Sequence, residues 1–125
     1  TVESGVTLSS PVEARLPRTW IAVLRGRVGA SLAATTGVDT PDDVIAYVLA
    51  GADVVMSTSA LIRRGPDYAQ VLVEGLRQWL NAREVSLEKA RGLLAVPAHA
   101  AADAYERAGY VSALEKAKAT YGSLR

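Results

Sequence analysis

The chain contains no cysteine and a single histidine, His99. The first absence excludes disulfides, iron–sulfur clusters, thiolate zinc sites and a cysteine nucleophile. The second excludes metal motifs built on two histidines, and no metal site is expected. An excess of one charge is also missing: fourteen Lys and Arg stand against thirteen Asp and Glu, for a net charge of +1. Nucleic-acid surfaces draw their affinity from many phosphate-neutralising cations, so no nucleic-acid partner is expected. There is no run of about 18 uncharged apolar residues, so no membrane span is expected. The longest apolar region, 44–62, is broken by Asp53 and by Ser57-Thr58-Ser59. No Gly-x-Gly-x-x-Gly, Walker loop or Ser–His–Asp constellation is present. The chain opens Thr1-Val2-Glu3, with neither an initiator Met nor a basic-then-apolar signal pattern. The expectation is a processed chain or an excerpt of a cytoplasmic protein. The missing cysteines fit either redox state.

What is present is a globular composition. Of 125 residues, 50% are hydrophobic and 22% charged, which suits one domain with a sizeable core. Residues 5–9 read as a short strand or its end. Ser10-Pro11-Val12-Glu13 has the form of a capping box with Pro at the first helical position, and a helix is expected from about Pro17 to Arg25. Ala30 to Thr35 is a short apolar strand. Thr40-Pro41-Asp42-Asp43 starts a second helix, with acids at the positive dipole end, and Gly51 stops it. Asp53 to Met56 is another strand, and Gly65-Pro66-Asp67 opens a helix that ends near Arg83. Ser86 starts a short helix to about Leu94. Beyond Pro97 lies an alanine-rich tail, expected to be helical in two pieces around Gly109.

The order strand–helix–strand–helix–strand–helix predicts parallel strands with helical crossovers. Both main strands are apolar on both faces, as in a covered parallel sheet. Two or three such strands leave hydrophobic edges unpaired. The sheet is therefore expected to be completed by missing residues or by another chain.

Two loops occupy the ligand-binding edge of such a sheet, where strands end and helices begin. Thr35-Thr36-Gly37 follows one strand and Ser57-Thr58-Ser59 follows the next. Turn and capping chemistry explains either loop alone. Two in succession, offering backbone N–H groups and hydroxyls together, favour an anion such as phosphate. Thr40 is a helix cap and Asp42-Asp43 belong to the helix start, without an acid–base role. Arg63-Arg64 read as a solvated pair and Trp20 and Trp79 as packing residues. His99 reads as exposed or packed rather than catalytic. Tyr105 and Tyr110 are either tail anchors or core residues.

Leu32-Ala33-Ala34-Thr35-Thr36-Gly37-Val38, Thr40-Pro41-Asp42-Asp43-Val44 and 49–61 together resemble the dihydroorotate dehydrogenase (DHODH) family. They look like strands seven and eight of its flavin-binding (β/α)8 barrel. Gly65-Pro66 resembles the start of its last barrel helix, and Ser86 to Gly92 its short C-terminal segment. Residues 8–11 and 20–24 resemble the sixth unit, and 105–110 a tail of a bacterial DHODH-like subgroup. The resemblance implies an α/β fold, the C-terminal part of a TIM barrel over 1–94, with a helical tail over 95–125. It implies FMN as cofactor. The family's phosphate-binding Gly-Gly falls on Thr36-Gly37 and its Gly-Thr on Thr58-Ser59, while Ser10 falls near a further flavin-proximal glycine. It also implies hydride transfer from dihydroorotate or a similar small molecule, in pyrimidine biosynthesis. The family's catalytic base and its orotate-holding Asn and Lys fall outside this sequence, so the chain alone is not expected to turn over. Its partner is then the missing barrel half or, as a homo-oligomer, another copy. The alternatives are another FMN- or phosphate-binding barrel enzyme, or a non-catalytic partial barrel that self-associates.

Overall fold

The computed structural model describes residues 5–97. The tail expectations, including His99, Tyr105 and Tyr110, lie outside the described residues. After an unpaired lead, a 3-10 turn over Pro11–Ala14 runs into α1, Arg15–Leu24. Then follow β1 (Ala33–Ala34), α2 (Pro41–Ala50), β2 (Val54–Val55), α3 (Ser59–Arg64), α4 (Tyr68–Ala82) and α5 (Leu87–Ala90).

The helix starts obey their local chemistry. The Asp43 carboxylate accepts from the N–H of Asp39 and from both the N–H and hydroxyl of Thr40, at 2.8–3.1 Å. This satisfies N–H groups that α2 would leave bare, and Pro41 at its first position has no N–H to satisfy. The Ser10 N–H donates likewise to the Glu13 carboxylate. Gly51 ends α2, its N–H returning to the carbonyls of Tyr47 and Val48.

β1 and β2 pair in parallel, with Ala33 opposite Val54 and Ala34 opposite Val55. The crossover through α2 was legible from the alternation of elements. Residues 5–9 were expected as a strand and are not one. Val6 is 85% exposed, so no burial holds a ladder there. Among the described residues the sheet has two strands rather than three.

Helices cover one face of this sheet. Leu32, Ala34 and Val55 point into a core shared with Ile21, Val44, Tyr47 and Leu72. Gly75, within α4, lets the Pro41 ring approach where a Cβ would collide with it. That close approach locks α4 onto the start of α2. The other sheet face is bare: Val54 is 54% and Met56 45% exposed. Leu16 and Trp20, on the outer side of α1, are also exposed, so Trp20 is not the packing residue expected. Trp79 stacks under the Arg83 guanidinium, 4.3 Å from its ring centroid.

At the amino end of β2, Asp53 ties the sheet together. Its carboxylate accepts from the Leu32 N–H at 2.8 Å and from Arg25 at 3.1 Å. Arg25 also reaches the Gly51 carbonyl, and Arg91 the Ala52 carbonyl. The Leu32 N–H and then the Arg25 hydrogen bond hold the Asp53 carboxyl below its ordinary range. No helix among the described residues is long and apolar enough to cross a membrane.

Candidate functional site

The opposite edge of the sheet gathers three loops. β1 delivers 35–37 and β2 delivers 57–59, as parallel pairing requires. The lead before α1 adds Ser9. Its hydroxyl lies 3.0 Å from the Ser59 hydroxyl and accepts from the Gly37 N–H at 3.4 Å. The Ser9 N–H donates to Ser59 Oγ at 3.0 Å. Thus Gly37 and Ser59, singled out from sequence, meet through Ser9. Nothing in the sequence singled Ser9 out from Ser10, because the contact spans 50 residues.

Ser10 itself serves the turn that follows. Its N–H caps that turn through Glu13, and its carbonyl backs Gly37. A Cβ on Gly37 would stand 2.8 Å from the Ala14 Cβ and N and 2.9 Å from the Ser10 carbonyl oxygen. Only glycine lets these loops approach so closely.

The Thr36-Gly37 pair has an unusual backbone. Gly37 has φ of 72° and Thr36 has φ of 84°, a left-handed angle rarely taken by a β-branched residue. Tyr47, fully buried on α2, holds that loop from below: its hydroxyl lies within hydrogen-bonding distance of the Thr35 and Thr36 carbonyls. Burial, followed by the opposing pull of Arg18 and then the push of Asp43, leaves the Tyr47 phenol raised. It therefore remains a neutral donor. Ser57 adds a link, donating to the Val38 carbonyl at 2.9 Å. Thr58, by contrast, has φ of −126° and needs no glycine. Ser59 opens α3 beside it.

Arg63 and Arg64 do not simply face solvent. Arg63 donates to the Ser9 carbonyl at 2.9 Å, and Arg64 to the Asp39 carbonyl and carboxylate at 3.1 and 3.0 Å. Arg64 also lies over the Tyr68 ring, 4.5 Å from its centroid, while the Tyr68 hydroxyl donates to the Asp39 carbonyl. These half-exposed pairs fasten α3 to the two loops before it. Each is worth at most about 1 kcal/mol, so together they set geometry more than stability. No group of His, Asp and Glu suited to a metal ion occurs among the described residues.

Two solved DHODH structures from Eimeria tenella are similar to this chain in fold. One, in complex with ferulenol, aligns with a TM-score of 0.63 and 23% identity over 73% of this chain. The other, ligand-free, aligns with a TM-score of 0.62 and 25% identity over 76% of this chain. The fold is DHODH-like. It is thus part of a TIM-barrel-related α/β architecture, and the aligned region spans only 25–27% of the length of those structures. No family model and no curated protein matches the chain. The loops 35–37 and 57–59 follow the carboxyl ends of β1 and β2, and Asp53 stands at the amino end of β2.

Proposed function

We propose that the chain is the phosphate-gripping part of an FMN-dependent, DHODH-like flavin oxidoreductase. One observation carries the reading: Ser9 joins Gly37 and Ser59 at the ligand-binding edge of a parallel sheet. The residues present fit a phosphate. Thr36 stands in a family glycine position yet keeps a glycine-like φ, and Tyr47 holds it there. Backbone N–H groups of Thr36, Gly37, Thr58 and Ser59 would hold the phosphate, the Gly37 N–H and the paired Ser9 and Ser59 hydroxyls exchanging their mutual hydrogen bonds for its oxygens. Ser10 would contribute only backbone.

Bound FMN supplies the hydride acceptor for oxidising dihydroorotate or a similar dihydro compound. This chain's share is to bind and orient. Gly37 brings the loop in, Tyr47 fixes it, and Arg63 holds the lead at Ser9 against α3. Proton transfer belongs to residues elsewhere in the parent barrel.

Equilibrium dialysis against FMN and riboflavin tests the reading. The chain is expected to prefer FMN by at least about tenfold, roughly 1.4 kcal/mol. Ser59→Ala combined with Ser9→Ala should erase that preference. Equal affinity for the two flavins in the unaltered chain would overturn the assignment.

The bare sheet face supports a second, structural reading. Val54 and Met56 are uncovered on a strand pair with open edges, a surface that association would bury. The remainder of the barrel covers it in the enzyme reading; a second copy covers it in a self-associating module. Light scattering at several concentrations separates the two. A defined, flavin-free oligomer favours the module.

A further inference from the structure

Two arginines follow each other on α3, and their surroundings differ. Arg64 is compensated: its guanidinium donates to the Asp39 carboxylate at 3.0 Å and to the Asp39 carbonyl at 3.1 Å, and lies over the Tyr68 ring. Arg63 is held by an uncharged acceptor, the Ser9 carbonyl, at 2.9 Å. The nearest carboxylate oxygen to it among the described residues, on Asp39, is 4.0 Å away, beyond hydrogen-bonding distance. One carboxylate thus serves two guanidinium groups. Other acids near these loops are turned to backbone. Asp43 on α2 accepts from Asp39 and Thr40, and Glu13 in the turn before α1 accepts from Ser10.

The position of Arg63 gives its charge a use. Ser59 and Arg63 stand four residues apart on α3, so they share a helix face. The Ser9 carbonyl that holds Arg63 belongs to the residue that meets Ser59 Oγ and accepts from the Gly37 N–H. The guanidinium therefore stands within one residue's width of the point where the three loops meet. Its side chain is 38% exposed, open to a ligand arriving from solvent. A guanidinium carries five N–H donors in a rigid plane. Among the described residues Ser9 engages one of them, so Arg63 can take a second acceptor without surrendering the first.

In the proposed flavin site, backbone N–H groups and hydroxyls hold the phosphate. Those are dipoles, which discriminate only modestly between a singly charged phosphodiester and a doubly charged monoester. A full positive charge discriminates more, because its attraction scales with the charge of the ligand.

We infer that Arg63 is a specificity-determining residue of this site, reading the second negative charge of a terminal phosphate monoester while keeping its hold on Ser9. The inference rests on the phosphate reading and deepens it, because it names the ligand class as a monoester in its dianionic form.

Equilibrium dialysis of the full chain against FMN and riboflavin, from pH 7.5 to pH 5, provides the test. A phosphate monoester takes up its second proton at about pH 6, roughly two pH units above ordinary carboxylates. Riboflavin, lacking the phosphate, corrects at each pH for protein groups that titrate in the same range. The preference of the unaltered chain for FMN should fall as the pH is lowered. Arg63→Gln should bind FMN about tenfold more weakly at pH 7.5, leave riboflavin binding unchanged and flatten the pH dependence. Arg63→Lys, which keeps the charge, should restore part of the slope. Should Arg63→Gln fail to fold, phosphorus NMR of FMN bound to the unaltered chain decides: the second ionisation of the bound phosphate should lie below that of free FMN, and an unchanged or raised value overturns the inference. Equal affinity for FMN and riboflavin in the unaltered chain would overturn the phosphate reading and the inference with it. An FMN preference and pH dependence unchanged in Arg63→Gln would leave the phosphate reading standing and overturn the inference alone. Equal losses of FMN and riboflavin binding would do the same, as expected of an arginine that only holds the Ser9 lead in place.

Discussion

The Tyr47 hydroxyl stands 2.7 Å from the Thr36 carbonyl oxygen, joining a buried helix residue to a loop residue held at a left-handed φ. A β-branched residue does not keep that angle unaided. A hydrogen bond from a rigid helix is one of the few devices that can hold the loop without filling the space above it.

Tyr47→Phe should therefore loosen the site as well as the core. Losing the donor leaves the Thr35 and Thr36 carbonyls short of a partner, at a cost of about 1–3 kcal/mol. Urea denaturation reads this directly. An unchanged midpoint would show that the loop is held by something else.

The same residue fixes an alkaline limit. Its phenol is raised, chiefly by burial, so the neutral form is favoured in the folded state. The resulting stability is complete below the unfolded value of about 10 and is lost as pH rises through the folded value. Thermal melts of the unaltered chain should fall more steeply above that pH than those of Tyr47→Phe.

Asp53 sets the acid limit, with the opposite sign. Its carboxyl is lowered by the Leu32 N–H and by Arg25, so its contribution is present above the ordinary carboxylate range. It is lost as pH falls through the lowered value. Asp53→Asn should reduce the melting temperature at neutral pH and flatten its decline on acidification. Parallel melting curves from pH 7 to pH 2 would count against this.

Thr36→Gly tests the strain itself. Relief of a left-handed threonine is worth about 1–3 kcal/mol, against about 0.5–1 kcal/mol for the extra freedom of unfolded glycine. The variant should be more stable by roughly 0–2.5 kcal/mol. A clear loss of stability would mean that the threonine side chain contributes contacts of its own.

Gly37→Val should have the larger effect. A Cβ there meets Ala14 and the Ser10 carbonyl at under 3 Å, and the angle itself is strained for any side chain. Strain and overpacking together cost roughly 2–6 kcal/mol. Calorimetry should show a lowered melting temperature along with any loss of FMN. Loss of FMN at an unchanged melting temperature would mean that the neighbouring loops yield freely.

Much of the fold was legible because its signals are local. Thr40-Pro41-Asp42-Asp43 starts a helix through contacts within four residues, and Gly51 ends it by backbone freedom alone. The alternation of elements fixed the parallel pairing of β1 with β2. Sequence misread 5–9, where an apolar pattern found no neighbour to pair with among the described residues, and Trp20, whose place on a helix face did not reveal that it is exposed. It read Arg63 and Arg64 as solvated because their partners, Ser9 and Asp39, are distant along the chain.

By itself, then, the sequence determined where helices begin and end, that the strands run parallel, and which two loops reach the same edge. These follow from caps, turn residues and the length of crossovers. Only the tertiary structure decided that Ser9 stands between Gly37 and Ser59, that Tyr47 props Thr36, and that Asp53 receives Leu32 and Arg25. Each of those contacts joins residues 11 to 50 positions apart. Such pairs are chosen by packing, which places side chains according to the whole core rather than to their neighbours in sequence.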